Sequence, residues 1–341
     1  FRDETTEATI FWSRAGSSIE SLTSPYANSY LLDRDEVTAT IDRHVRPDLT
    51  LGLGLSYEST SFDQFDVAAN SLTWADTQES LGVWTRAEWQ VTANDLLRAA
   101  VRADRFTDFA GKTTGDVTYS RRLSKEKLAH VKVGTAYRAP AANDLAYGTH
   151  LGLPLRPESN TGFEIGLRHE DLVPGALSWT LVAFRNDLSD LIDYNPISYQ
   201  TYNIAEARTQ GLEAGVETRP AKGLRLFGAA TWLDTQIVSS DYFLGTGLAG
   251  DKLLRRPTLT LSLGAEVMPD DDWTFGVSAA HLRGREDFDW NAYARTALPD
   301  ATFVRLWIRR VLSDRTEISL RIENLFGEDA PPAAFGFPAQ P

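Results

Sequence analysis

Hydrophobic residues recur at every second position along much of this chain. Between Thr258 and Val267, one face collects Leu259, Leu261, Leu263, Ala265 and Val267. The other face collects Thr258, Thr260, Ser262, Gly264 and Glu266. Trp273, Phe275, Val277 and Ala279 alternate in the same way with Thr274, Gly276, Ser278 and Ala280. Ile318, Leu320 and Ile322 alternate with Glu317, Ser319, Arg321 and Glu323, and Val131, Val133, Thr135 and Tyr137 with His130, Lys132, Gly134 and Ala136. A period of two is the pleat of a β-strand. The pattern predicts an all-β chain of about fifteen strands over 5–13, 35–45, 49–58, 79–92, 95–106, 112–124, 128–137, 158–171, 175–187, 200–218, 223–235, 255–268, 273–284, 302–312 and 316–326.

Alternation alone fits an antiparallel sheet packed on one side, and it fits a membrane barrel with lipid on one face. The connections separate the two. Short turns rich in Pro, Asp, Asn and Gly fall at 46–48, 92–94, 124–127, 173–175, 219–223, 269–272 and 313–315. Between them lie the longer connections 14–34, 59–78, 138–157, 188–199, 236–254 and 285–301, with 107–111 the one brief exception. Outer-membrane barrels sort their loops this way, short on the periplasmic side and long outside. The predicted strands also run to ten residues or more, as tilted membrane strands do. Trp12, Trp84, Trp89, Trp179, Trp232, Trp273 and Trp307 lie where interfacial aromatic girdles belong, although any one of them also suits ordinary sheet packing. The reading is an antiparallel transmembrane β-barrel.

Composition narrows the function. The chain has 341 residues, no cysteine and a net charge of −13. Thiolate metal sites, disulfides and a cysteine nucleophile are excluded, and the acidity argues against nucleic acid. The five histidines form no HExxH, and no nucleophile–base–acid arrangement stands out, so an enzyme is not expected. The Gly245–Gly250 run matches GxGxxG, but it leads into a segment carrying Pro257 where a dinucleotide fold needs a helix. The acidic run Glu286-Asp287-Phe288-Asp289 has oxygen ligands at spacings that could hold calcium, as do Asp63 and Asp66. A solvated acidic loop explains them equally simply, so Asp287 and Asp289 stand only as calcium candidates.

A family resemblance adds to this. Val133-Gly134-Thr135-Ala136-Tyr137-Arg138-Ala139-Pro140, followed by Asn143-Asp144-Leu145, resembles the TonB-dependent outer-membrane transporters. So do Gly111–Gly115, Leu155-Arg156-Pro157-Glu158-Ser159, and Ile322-Glu323-Asn324-Leu325-Phe326-Gly327 near the C-terminal end. The segments Phe184–Tyr194, Tyr202-Asn203, Ala207-Arg208, Gly211–Ala214 and Leu253–Arg256 are most similar to the cobalamin receptors of that family.

The resemblance implies a Gram-negative outer-membrane location, with lipid and lipopolysaccharide around the barrel and TonB engaged through an N-terminal segment. It also implies a 22-stranded whole, of which residues 1–341 would be the C-terminal part, without the plug and the final strand. The odd strand count agrees, because an open sheet in a membrane leaves unpaired backbone groups. The implied cargo is cobalamin or a related corrinoid, with Arg255 and Trp290 as binding residues. Alternatives are an iron-chelate transporter, or a barrel serving as a structural or interaction subunit with a surface lipoprotein or other complex partners.

Overall fold

In a computed structural model, the described residues are 5–21, 28–67, 69–141, 144–145, 155–170, 177–195, 200–240, 247–289 and 294–328. The first strands are β1 (Thr6–Ser21), β2 (Asn28–Arg46), β3 (Leu49–Asp66), β4 (Ser71–Thr92), β5 (Asp95–Phe106) and β6 (Lys112–Arg122). There follow β7 (Lys127–Arg138), β8 (Glu158–His169), β9 (Leu177–Asn195), β10 (Gln200–Ala221) and β11 (Leu224–Ser240). The last are β12 (Leu259–Val267), β13 (Trp273–Arg283), β14 (Glu286–Asp289), β15 (Ala294–Ala297), β16 (Ala301–Ser313) and β17 (Thr316–Ile322). Fifteen of them hydrogen-bond in chain order from β1 to β13 and on to β16 and β17, while β14 and β15 form a separate hairpin. Among the described residues, helical conformation is confined to Asp144 and Leu145. The fifteen predicted strands are all present, and β1 and β17 are the two ends of the order.

Several boundaries differ from the sequence reading. Residues 14–34, 59–78 and 188–199, expected as connections, are largely strand. β2 and β3 keep register from Arg46↔Leu49 out to Asn28↔Asp66, with a shift only near the turn. Ladder hydrogen bonds continue beyond the apolar stretch because a paired neighbour is there to accept them, whatever the side chains. β12 starts at Leu259, not 255, because Arg255 has φ +59 and Pro257 has no N–H to give a ladder. The loop 285–301 folds into the β14–β15 hairpin, which had no signal of its own.

The residues form two compact units. The first comprises residues 1–119, 132–161 and 188–204. Its sheet is inside out by the standard of a soluble protein. On β3, Leu53 and Leu55 are 55% and 48% exposed, with Leu51 and Tyr57 exposed beside them, while Gly52, Gly54 and Ser56 between them are buried. Across the ladder, Ile10 and Trp12 of β1, Val37 and Ile41 of β2 and Leu81 and Val83 of β4 are exposed on that same face. A continuous exposed apolar face of this kind marks contact with lipid or protein. From Leu49 to Tyr57 a strand rises about 27 Å, or about 20 Å after a tilt of about 40°. That is close to the height of a membrane barrel's apolar band. Both ends of the band have anchored aromatics: the Trp89 indole N–H donates to Asp48 at the short turn (3.0 Å), and the Tyr57 hydroxyl donates to Glu79 at the other end (2.6 Å).

The opposite, inner face of the first unit is polar and bulky. Arg86 on β4 reaches Asp42 on β2 (Nε–Oδ1 2.9 Å) directly over Gly52 on the strand between them. Two residues along, the ring of Trp84 lies on Gly54, where a Cβ would collide with it. The glycines are slots that let large inner side chains lie flat across the sheet.

The second unit comprises residues 120–131, 162–187 and 205–341. Here Leu263 and Val277 are exposed, as the alternation predicts; Ile318 and Leu320 are exposed too, but so is every residue of β17, which ends the sheet. Leu259 and Leu261, on the same face of β12, are half-buried. On the inner face Arg225 pairs with both Glu217 (2.7 Å) and Glu266 (2.9 Å). At the short-turn end Trp273 stacks on Phe275, with Arg310 over its ring.

Candidate functional site

The long-connection end of the second unit carries a compact knot around Arg255. Arg255 lies in a turn between β11 and β12, and its backbone N–H donates to the Glu286 carbonyl (2.7 Å). Its Nε donates to Asp287 Oδ1 (3.0 Å), which also accepts the N–H of Phe288 (2.8 Å). Asp287 is completely buried, whereas half of the Arg255 side chain remains exposed. Arg295 ties the same two segments: it bonds Glu286 (3.0 Å) on its own hairpin, the Lys252 carbonyl (2.7 Å), and Asp251 (3.6 Å). Phe288, Leu298 and Ile237, in or next to these segments, are buried. The two loops are thus cross-linked in both directions, Arg255 of one to Asp287 of the other and Arg295 back to Asp251.

This geometry places the expected site residues. Arg255 sits at the long-connection end with a free half of its guanidinium, but its Nε is committed to Asp287. Trp290 lies outside the described residues. Asp287, a calcium candidate by spacing, is instead engaged by a guanidinium and a backbone N–H. Among the described residues no group of three or more His, Asp or Glu is arranged to hold a metal ion. The glycine run is a turn where it is described: Gly250 has φ +100, and its N–H donates to the Ile237 carbonyl (2.8 Å).

The first unit carries a second knot, built from the residues of the family resemblance. Glu158 takes both arms of Arg138 (2.7 and 2.8 Å) and the N–H of Ile192 (2.8 Å). Asp144 accepts the Ala141 N–H (2.8 Å) and lies 3.5 Å from Arg138. Arg156 binds Asp190 through Nε (3.0 Å) and Nη2 (2.7 Å), and Asn203 bonds both backbone groups of Arg156 and the Asp190 carbonyl. Pro140 and Pro157 are fully buried. The Tyr-Arg-Ala-Pro and Leu-Arg-Pro-Glu motifs are therefore a clasp fixing the ends of β7 and β8 to the β9–β10 hairpin. The sequence pattern marks these residues by resemblance alone and gives them no role. The signal available was their type: arginines and carboxylates next to prolines, where the chain leaves the sheet and needs side-chain partners.

A family model described as TonB dependent receptor-like, beta-barrel, matches residues 3–325. The chain belongs to this family. Its location is accordingly the outer membrane of Gram-negative bacteria, and the exposed apolar face is what that location requires. Solved structures agree on the fold. The TonB-dependent receptor barrel described here is similar to the ferric yersiniabactin uptake receptor FyuA from Yersinia pestis, with a TM-score of 0.77 and 13% identity over 99% of this chain and 56% of that one. It is similar to the ferric-catecholate import receptor Fiu from E. coli K12, with a TM-score of 0.74 and 12% identity over 97% of this chain and 59% of that one. It is also similar to the copper transporter OprC, with a TM-score of 0.72 and 18% identity over 95% of this chain and 57% of that one. The chain thus spans a little over half the length of the proteins it resembles.

Proposed function

We propose that this chain is the barrel part of a receptor that imports a metal complex across the outer membrane in a TonB-dependent manner, and that the complex is cobalamin or a related corrinoid. TonB would act through a segment outside residues 1–341. The observation that supports a transport role is the pairing of an outward apolar face with an inner face of ion pairs. Such a wall faces water or a polar partner, not a packed core. The corrinoid reading rests on the similarity of Phe184–Tyr194 and Leu253–Arg256 to cobalamin receptors. The position of Arg255 supports it: a guanidinium braced by Asp287 through one nitrogen has its other donors available for the amide oxygens of a large ligand. Calcium and surface lipoprotein partners remain subordinate parts of this proposal.

A second reading is uptake of an iron or copper complex. The similar structures favour it, since their named cargoes are ferric yersiniabactin, ferric catecholate and copper. Titration of the intact receptor with cyanocobalamin and with a ferric catecholate separates the two. The corrinoid reading expects saturable cyanocobalamin binding, weakened by on the order of 1–3 kcal/mol in Arg255→Ala and in Trp290→Ala. Binding of the ferric complex alone moves the function to the second reading.

A further inference from the structure

The strand extensions that the sequence pattern reads as loops create a pocket on the inner face of the first unit. Two successive rows cross four strands. One runs Ser17↔Leu32↔Phe62↔Asp76 and the next Ile19↔Tyr30↔Gln64↔Trp74. Both lie on the face that carries Gly54 and Trp84, opposite the exposed leucines of β3, since the register between these rows and the apolar band is unbroken. Phe62 is five residues beyond Tyr57, about 17 Å farther along the strand than the last aromatic of the band. The pocket therefore opens at the long-connection end, outside the membrane. Its volume is about 290 Å³, and Ile19, Tyr30, Leu32, Phe62, Gln64 and Trp74 line it. Phe62 and Trp74 stack with ring centres 6.4 Å apart.

The charge beside these rings has one sign. Asp76 faces Phe62 across the ladder, two residues from Trp74 on the same face, while Asp63 between Phe62 and Gln64 alternates to the opposite face. Residues 59–78 contain Asp63, Asp66 and Asp76 but no lysine or arginine. Arg34, two residues from Leu32 on β2, is held by Glu36 and Glu58. Among the described residues neither Asp63 nor Asp76 has an ion-pair partner, in contrast to Asp42, Glu158 and Asp287. Aromatic faces carry negative potential and attract cations, most strongly beside a carboxylate. An anion would meet the Asp76 carboxylate and no donor cation on that face.

We propose that this pocket is a binding subsite for a flat apolar group that is uncharged or cationic, and that it excludes anionic groups. The proposal deepens the transport reading and rests on it: it names the charge class of the cargo that the long-connection end admits. A trianionic catecholate complex does not fit that class, whereas an uncharged, amide-rimmed metal complex does.

The test uses small probes, so that it does not depend on which cargo is carried. Benzyltrimethylammonium and benzenesulfonate are titrated into the intact receptor by isothermal calorimetry, alongside Trp74→Ala and the nearly isosteric Asp76→Asn. Saturable binding of the cation, weakened on the order of tenfold in each variant, is expected, with no binding of the sulfonate. Equal binding of the two probes, no binding of the cation, or cation binding unchanged in both variants would overturn the pocket assignment. A receptor that binds the cation as expected but takes up neither a corrinoid nor a metal chelate would overturn the transport reading and leave the pocket standing.

Discussion

Arg255 and Asp287 are joined by a 3.0 Å hydrogen bond in which the carboxylate is fully buried and the guanidinium half-exposed. The partners are unequal, so their removal should be unequal. Arg255→Ala deprives a buried carboxylate of its guanidinium partner, and should loosen the β14–β15 hairpin by on the order of 1–3 kcal/mol. Asp287→Asn keeps an acceptor for the Phe288 N–H and should loosen it less. Hydrogen exchange at Phe288 reads this directly. Equal protection in wild type and Arg255→Ala would show that the pair does not hold the loops together.

Glu158 gathers Arg138 and the Ile192 N–H on one carboxylate that is mostly buried. Glu158→Gln removes the charge and one half of the bidentate pair while keeping the shape. It should weaken the clasp by on the order of 1–3 kcal/mol, with faster exchange at Ile192. Exchange at Leu53, within the apolar band, should stay unchanged, and parallel loss at both positions would mean that the clasp is not a local device.

The Trp84 ring occupies the space above Gly54. Gly54→Val should expel the ring and lower unfolding stability by about 1–3 kcal/mol, the usual penalty of overpacking. A red-shifted tryptophan emission would accompany it. Unchanged stability and emission would show that the ring does not depend on the slot.

Leu53 is in the middle of the exposed run on β3, with Leu51 and Leu55 on either side. Leu53→Arg should cost about 2–4 kcal/mol in a bilayer, as a charge near the midplane does. Folding titrations into lipid vesicles measure it. A change within about 0.5 kcal/mol, the ordinary effect at a water-exposed position, would remove the lipid-facing assignment.

Most of the architecture is legible in the sequence because a strand's two faces are written in alternate residues, and Leu51, Leu53 and Leu55 need no partner to be read. The turn ends are legible because Pro47, Asn94 and Gly223 restrict or free the backbone locally. What escaped lies beyond the apolar band. Residues such as Ser59, Ser61 and Asp63 alternate with Thr60, Phe62 and Gln64 without a clear hydrophobic period, yet they stay paired with β2 and β4 because the neighbours continue. The aromatic pocket was hidden for that reason: Phe62 and Trp74 become neighbours only through register. The pairing at the calcium candidate Asp287 was illegible for a different reason. Spacing put Asp287 and Asp289 at ligand intervals, but Arg255, 32 positions earlier, had already taken Asp287, and no local pattern announces such a pairing.

The central claim is that this barrel belongs to a receptor importing a metal complex, a corrinoid first of all, by TonB-dependent transport. Accumulation of labelled cyanocobalamin should be measured in Gram-negative cells lacking their own corrinoid receptor and expressing the intact protein, with and without TonB. The account predicts uptake that requires both the receptor and TonB, unaffected by an excess of trianionic ferric catecholate. Absence of cyanocobalamin uptake, together with TonB-dependent accumulation of the ferric catecholate, would contradict it.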